Sequence, residues 1–159
     1  MSIYDACNGI GQNNQPYFAT GKPPCFASKK AAIAAAAHNV LVHLFPAQQA
    51  AFDIAYANSL EGIANGPGKR TGISWGESVA DALLQVRSRD GSDTVVAYTP
   101  ESGAGIWVPT PPAFAPALLP NWPSVTPFAM ISGSEFRPPP PPELDSAQWA
   151  LEFTHQTVG

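Results

Sequence analysis

The sequence has little charge and no long apolar run, and each shortage excludes a class of protein. Only 13% of the 159 residues are charged, and the formal net charge is −4. Basic residues cluster no further than the pairs Lys29-Lys30 and Lys69-Arg70. Nucleic-acid binding and attachment to an anionic membrane surface both need a basic face, so neither partner is expected. No stretch approaches the ~20 apolar residues of a membrane span.

Cysteines are also few, and the N-terminus lacks a targeting pattern. Cys7 and Cys25 allow two interpretations, free thiols or a disulfide that closes a short N-terminal loop and implies an oxidising compartment. A metal site is not expected, because no CxxC or His cluster accompanies them. Met1 to Asp5 show no basic region followed by an apolar core, so no signal peptide is expected. Localisation stays open, since a secreted or periplasmic chain after processing has the same appearance.

The length and composition predict one domain, 1–159, with three parts. An apolar content of 45% over 159 residues is enough for a buried core. The composition changes near residue 92: the segment 1–92 is helical in character, whereas 13 of the 18 prolines lie between Pro100 and Pro142. We therefore expect a helical part at 1–92, an irregular proline-rich part at 93–142 and the start of a C-terminal helix at 143–159.

Helix signals recur along the first part. Residues 1–10 place apolar side chains at helical spacing, and Ser28 is a good N-cap for an alanine-rich helix that reaches Phe45. Pro46 opens the next helix. The predicted apolar faces are Ile3, Tyr4, Cys7 and Ile10 in the first helix, and Phe52, Ala55, Tyr56, Leu60 and Ile63 in the third.

The fourth helix carries two glycines on its apolar side. That side comprises Ile73, Gly76, Val79, Ala80, Leu83 and Val86. Gly72 and Gly76 lie four apart, and each costs up to ~1 kcal/mol relative to alanine inside a helix. We therefore expect a close helix crossing at these glycines as the compensation.

The predicted fold class is mainly α: a partial antiparallel helical bundle followed by a long proline-rich wrapping segment anchored by aromatic residues. Short connections favour antiparallel neighbours. A disordered linker rarely contains as many aromatic residues as 98–142. Pro138–Pro142 predicts a polyproline II rod, as an internal spacer or as a ligand for an aromatic groove. Asp145 or Ser146 is expected to cap the final helix.

Candidate catalytic or ligand residues are sparse, and most have a simpler structural interpretation. His38 and His43 lie five apart, on different faces of one helix, whereas a helical metal pair needs three or four. We interpret them, and His155, as structural or surface residues. The same holds for the carboxylates, which we expect on solvated helix faces: Asp53, Glu61, Glu77 and Asp81.

One weak anion-binding candidate remains, formed by Ser132, Ser134 and Arg137. Backbone amides near the serines together with a guanidinium can hold an oxyanion. No catalytic, cofactor-binding or metal-binding constellation is assembled by the sequence.

Several segments resemble a known family. They are the stretch 4–10 (YDACNGI), the stretch 34–48 (AAAAHNVLVHLFPAQ), the stretch 65–93 (NGPGKRTGISWGESVADALLQVRSRDGSD), the stretch 107–112 (WVPTPP) and the stretch 116–142, which ends in SGSEFRPPPPP. In this order they resemble the bacterial vanadium-dependent haloperoxidase-like proteins of the PAP2 acid-phosphatase superfamily. The resemblance covers nearly the whole chain, although Val108 and Pro123 depart from it.

The resemblance implies a fold of paired helical bundles with the vanadate or phosphate site in the later bundle. Three motifs build that site, and none is present here. Met130 stands seven residues before Arg137, where Lys-x6-Arg-Pro needs lysine. Ile131-Ser132-Gly133-Ser134 replaces Pro-Ser-Gly-His, and Val95 replaces the histidine of Ser-Arg-x5-His after Ser88-Arg89. The chain is expected to end before the catalytic bundle, so it carries no cofactor, and vanadate belongs to the missing half.

Three hypotheses follow. The first is a non-catalytic N-terminal scaffold of a haloperoxidase-like or phosphatase-like protein, not an enzyme alone, with a complementary catalytic chain as partner. The second is a self-assembling structural protein, a homo-oligomer or filament. The third is a binding module for a small molecule or peptide that uses the aromatic, proline-rich arm.

Overall fold

Helices are the regular structure of the described chain. The computed structural model describes residues 1–19, 21–23, 25–103 and 105–156, with side chains through Glu152. The helices are α1 (Ser2–Gly11), α2 (Lys29–Leu44), α3 (Gln49–Glu61), α4 (Pro67–Arg87) and α5 (Ala147–Gln156), with short 3-10 turns at Pro46–Gln48 and Trp122–Ser124. Within these described ranges there is no strand, which confirms the mainly α class.

The chain divides into two compact units, Met1–Arg89 and Asp90–Gly159. The division falls beside the change in composition that the sequence shows near residue 92, although a single domain was expected. Among the described residues, no helix is both long enough and apolar enough to cross a membrane.

Helix α2 is the element that the other helices of the first unit contact. The Ser28 hydroxyl accepts a hydrogen bond from the Ala31 N–H at 3.3 Å, which confirms the predicted N-cap. Alanines then fill the buried side of the helix: Ala31, Ala32, Ala35 and Ala36. Small side chains on that side allow neighbouring backbones to come close.

Helices α2 and α4 touch through the two glycines, as predicted. A Cβ atom at Gly72 would collide with the backbone of Ser28, and one at Gly76 would collide with the Ala32 carbonyl. Further along, the Asn39 side-chain amide donates to Asp81 at 2.9 Å. Contacts therefore advance in the same direction on both helices, so α2 and α4 run parallel.

The predicted apolar face of α1 is buried only in part, since Ile10 packs against the core and Cys7 is half-buried. Ile3 and Tyr4 are exposed by 46% and 44%, whereas Ser2, Asp5, Ala6 and Asn8 are buried. The loop after the helix explains why polar side chains of α1 are buried and two apolar ones are exposed. The Asp5 carboxylate accepts from the backbone N–H groups of residues 17, 18 and 19 at 2.6–2.8 Å. Polar side chains therefore face inward because the loop needs acceptors there.

Trp75 is the largest side chain in the hydrophobic core of the first unit. It is 7% exposed and packs with four small or branched residues, Ala6, Ala32, Ala36 and Val79. Its Nε1–H donates to the Ala6 carbonyl at 3.0 Å, so the indole joins α4 to α1 by a hydrogen bond as well as by packing. Gly9 and Gly21 lie against its ring.

Helix α3 has no buried residue, contrary to its predicted apolar face. Phe52, Tyr56, Leu60 and Ile63 are only half-buried, and Ala55 is exposed. The predicted apolar face of α4 is buried to a larger extent than that of α3. Gly76, Val79 and Ala80 are buried, and Val86 is exposed.

The second unit is organised around buried polar residues. Asn121 is 5% exposed and its side-chain amide donates to the carbonyls of Gly91 and Ser92 at 2.9 and 3.0 Å. The Thr126 N–H donates to the Asp90 carbonyl at 2.8 Å. At the end of the unit, the Ser146 hydroxyl accepts from the Trp149 N–H at 3.1 Å and caps α5.

Candidate functional site

A cleft between α2 and α4 collects several of the titratable side chains that the sequence singles out. Its centre is His38 on α2, whose Nε2–H donates to Oδ1 of Asp53 on α3 at 2.7 Å. The Tyr56 ring, one turn along α3, stacks on the His38 imidazole with 4.4 Å between ring centroids and 16° between planes. We call these three residues the His38 cluster.

Carboxylates of α4 complete the wall beside the His38 cluster. The cleft holds about 430 Å³ and is lined by His38, Asn39, Val42, His43, Glu77 and Asp81. Asp81 is tied to Asn39, whereas Glu77 and His43 are exposed. The structure therefore brings together three of the four carboxylates that the sequence analysis named, and Glu61 lies outside this group at the end of α3.

Burial and charge shift the pKa of one group in the His38 cluster. The pKa of Tyr56 is raised above its ordinary value, first because partial burial disfavours the phenolate and second because the Glu77 carboxylate repels it. The phenol is therefore neutral across the physiological range and is available as a hydrogen-bond donor.

The chemistry available to the His38 cluster is limited. A carboxylate that accepts from one imidazole nitrogen fixes the tautomer and leaves the other nitrogen as an acceptor, which is half of a general-base arrangement. A catalytic arrangement also requires a nucleophile or a bound substrate within hydrogen-bond reach of the base. In the described part of the chain, no group of three or more His, Cys, Asp or Glu side chains is placed to hold a metal ion.

Sequence reasoning missed the pairing of His38 with Asp53. The two residues lie 15 positions apart on different helices, and each was interpreted as a surface residue. Their contact depends on the angle at which α3 folds back over α2, which no local pattern encodes. The available signal was that His38 and Asp53 lie at similar distances from the Pro46 turn.

The predicted anion-binding loop does not fit an oxyanion. Ser132 and Ser134 are exposed and their hydroxyls bond to each other at 3.1 Å. The backbone N–H of Ile131 already donates to the Glu135 carboxylate at 2.7 Å. This carboxylate already accepts the hydrogen bond of a backbone amide that an anion would need, and its negative charge repels the anion. Arg137 is exposed beside it, and the loop as a whole is a poor host for vanadate or phosphate.

The remaining predicted residues do not converge. Cys7 is half-buried on α1, Cys25 is exposed in the loop before α2, and both are free thiols in this structure. The side chain of His155 lies outside the described part of the chain.

The second unit contains an apolar groove that the sequence did not localise. It holds about 630 Å³, and its lining includes Tyr98, Trp107, Pro111, Pro112, Pro116 and Pro120. The Tyr98 and Trp107 rings meet edge to face, with centroids 5.8 Å apart at 61°. We call it the aromatic groove.

Set against known protein families, curated proteins and solved structures, the chain gives no significant match. The resemblance to haloperoxidase-like proteins therefore stays a prediction that depends on the five quoted segments.

Proposed function

We propose that this chain is a non-catalytic helical scaffold, the N-terminal part of a haloperoxidase-like or PAP2-phosphatase-like protein whose anion-binding motifs are carried by another segment or chain. The catalytic half would hold the vanadate or phosphate. The contribution of this chain would be to shape and support that half.

An uncovered apolar surface at the α2–α3 turn carries the proposal. Leu41, Leu44 and Phe45 lie three and four residues apart, so they share one side of the last turn of α2. They are exposed by 37%, 57% and 49%, and Ile54 on α3 is exposed by 64%. Large apolar groups exposed together at the end of a helix, with a further one exposed on the next helix, are typical of a surface that another polypeptide covers.

The experiment is to isolate the chain from its natural source and measure the native mass of the peak by light scattering, with a denaturing gel of the same peak. A second, different chain that carries Pro-Ser-Gly-His and Ser-Arg-x5-His supports the proposal. A peak that contains only this chain overturns it. If that peak is a large multimer, the alternative of a self-assembling structural protein takes its place.

A matched pair of variants connects the partner to the surface. Leu44→Glu places a charge in the apolar surface and should abolish recovery of the second chain. Ala47→Glu introduces the same charge at an exposed position in the adjacent turn and should leave recovery unchanged. Equal recovery with both variants would show that the partner binds elsewhere.

A further inference from the structure

We infer that the aromatic groove binds the proline run Pro138–Pro142 of a second copy of this chain. The inference concerns the Asp90–Gly159 unit alone. It is independent of the proposed scaffold role, whose surface belongs to the Met1–Arg89 unit.

The chemistry of the groove selects the ligand. The described residues that line it are aromatic, proline and aliphatic side chains, with hydroxyl groups from Tyr98 and Thr110, and none of them is charged. Trp107 is 45% exposed and Tyr98 is 48% exposed, so both residues are accessible to an incoming ligand. Grooves lined by aromatic rings bind polyproline II segments, whose backbone carbonyls accept from tyrosine and tryptophan donors.

The ligand is present in the chain itself. Five consecutive prolines restrict φ to about −65° and favour polyproline II, so the run loses little conformational entropy on binding. At about 3.1 Å per residue, five residues span about 15 Å. Pro138 to Pro141 are exposed and Pro142 is half-buried.

A second copy is the occupant because the run does not enter its own groove. None of the five prolines lines the groove in the same chain. After the run the chain reaches Leu144, whose Cδ1 would lie 3.5 Å from a Cβ atom added to Gly105. This proximity holds the end of the run beside the loop that contains Gly105. Each copy thus presents one groove and one run, the complementary pair that a symmetric dimer or a head-to-tail chain requires.

The segment that joins the two aromatic residues of the groove and the residue before the run carry opposite charges. Arg137 precedes the run directly, and the exposed Glu101 lies in the segment between Tyr98 and Trp107. A carboxylate in that segment and a guanidinium at the start of the ligand attract each other.

The first test is direct binding. A fluorescently labelled peptide with the sequence of residues 136–143 is titrated with the full chain, and its anisotropy is followed. Trp107→Ala should weaken binding by about tenfold or more, as for an aromatic hot spot. Trp122→Ala is the control, because Trp122 is exposed by 56% in the same unit but does not line the groove.

Changing the peptide tests the same point without altering the protein. A peptide in which all five prolines are alanine should show no binding. Absence of binding by the native peptide overturns the inference. So does an equal loss with Trp107→Ala and Trp122→Ala, or equal binding of the alanine peptide.

The second test separates a second copy from a foreign proline-rich partner. Light scattering of the purified chain over a rising concentration series should show association. A Pro139→Ala, Pro141→Ala double variant should associate at least about tenfold more weakly, the loss of a central contact. A chain that binds the peptide yet stays monomeric at every concentration overturns the second-copy assignment.

Discussion

Three backbone amides of the loop after α1 converge on one carboxylate, that of Asp5. The side chain is 3% exposed, and its oxygens lie 2.6–2.8 Å from the nitrogens of residues 17, 18 and 19. Asn8 acts in the same way on the preceding residues, since its side chain both donates to and accepts from the backbone of Asn14. Two polar residues of α1 therefore hold a loop that has no regular structure of its own.

Asp5→Ala should lower the free energy of unfolding by at least about 2–4 kcal/mol, because three backbone amides lose their acceptor and each unsatisfied buried amide costs about 1–3 kcal/mol unless water reaches it. Urea denaturation measures the change. Asp93→Ala is the control, since Asp93 is exposed and its loss should stay within about 0.5 kcal/mol. Equal losses in the two variants would contradict the role of Asp5.

Tyr56 makes stability sensitive to alkaline pH. Its pKa is raised in the folded state by burial and by Glu77, so the folded chain keeps a proton that the unfolded chain releases. The contribution is complete below the unfolded pKa of about 10 and is lost as the pH rises through the folded pKa. Above pH ~10, stability should therefore fall less steeply for Tyr56→Phe than for the native chain.

Absorbance of the tyrosinate gives the matching measurement. The titration should contain a component above the ordinary range for tyrosine, and Tyr56→Phe should remove that component. Tyr98→Phe, in the other unit, should retain it. A native-like titration curve from Tyr56→Phe would refute the assignment.

At the scale of elements, the close contact between α2 and α4 depends on two residues of α4 that have no side chain. Alanines on α2 face Gly72 and Gly76 on α4, and no room remains for a further methyl group at either glycine. Backbone contact of this kind accounts for two glycines inside a helix of 21 residues. Helix α3 lacks an equivalent contact, which explains why its apolar periodicity leads only to half-burial.

Gly76→Ala should lower the free energy of unfolding by about 1–3 kcal/mol, because the added methyl group overlaps the Ala32 carbonyl and the helices must separate. The higher helix propensity of alanine opposes this loss by about 1 kcal/mol. Thermal unfolding followed by circular dichroism measures the sum. Gly62→Ala is the control, since nothing lies within 4 Å of a Cβ there. A variant at 76 that is as stable as the one at 62 would exclude the close contact.

At the scale of the whole molecule, the core cluster is confined to one unit. Ala6, Ala32, Ala36, Trp75 and Val79 all lie within Met1–Arg89. The second unit contains irregular, proline-rich chain whose apolar side chains are largely exposed, including Trp107, Phe114 and Phe136. The two units thus differ in how they are stabilised, by a hydrophobic core in the first and by polar contacts around Asn121 in the second.

A fragment of residues 1–89 should fold by itself. Trp75 is its single tryptophan, so emission reports burial at one site, and we expect the blue-shifted emission of a buried indole together with helical circular dichroism. The fragment with Trp75→Ala is the control for structure. It should lose about 3–5 kcal/mol, the cost of removing a buried tryptophan. Red-shifted emission from the unmodified fragment would show that the first unit needs the second.

The start and end of a helix could be predicted from the sequence, whereas the contacts of the candidate site could not. Ser28 begins α2 because its hydroxyl satisfies an amide three residues on, and Pro46 ends it. These effects act between near neighbours, so a sequence pattern contains them. The hydrogen bond between His38 and Asp53 joins two helices. It forms only at a particular crossing angle, and that angle depends on every side chain packed between the helices.

By itself, the sequence determined the positions of the helices, the glycine contact of α4 with its neighbour, and the low content of charged residues. The tertiary structure decided which side of α1 is buried, which carboxylate meets His38, and that Tyr98 and Trp107 share a groove. The reason is physical: propensity and capping depend on residues within one or two turns. Burial of Asp5 depends instead on amides more than ten residues away that have no other acceptor.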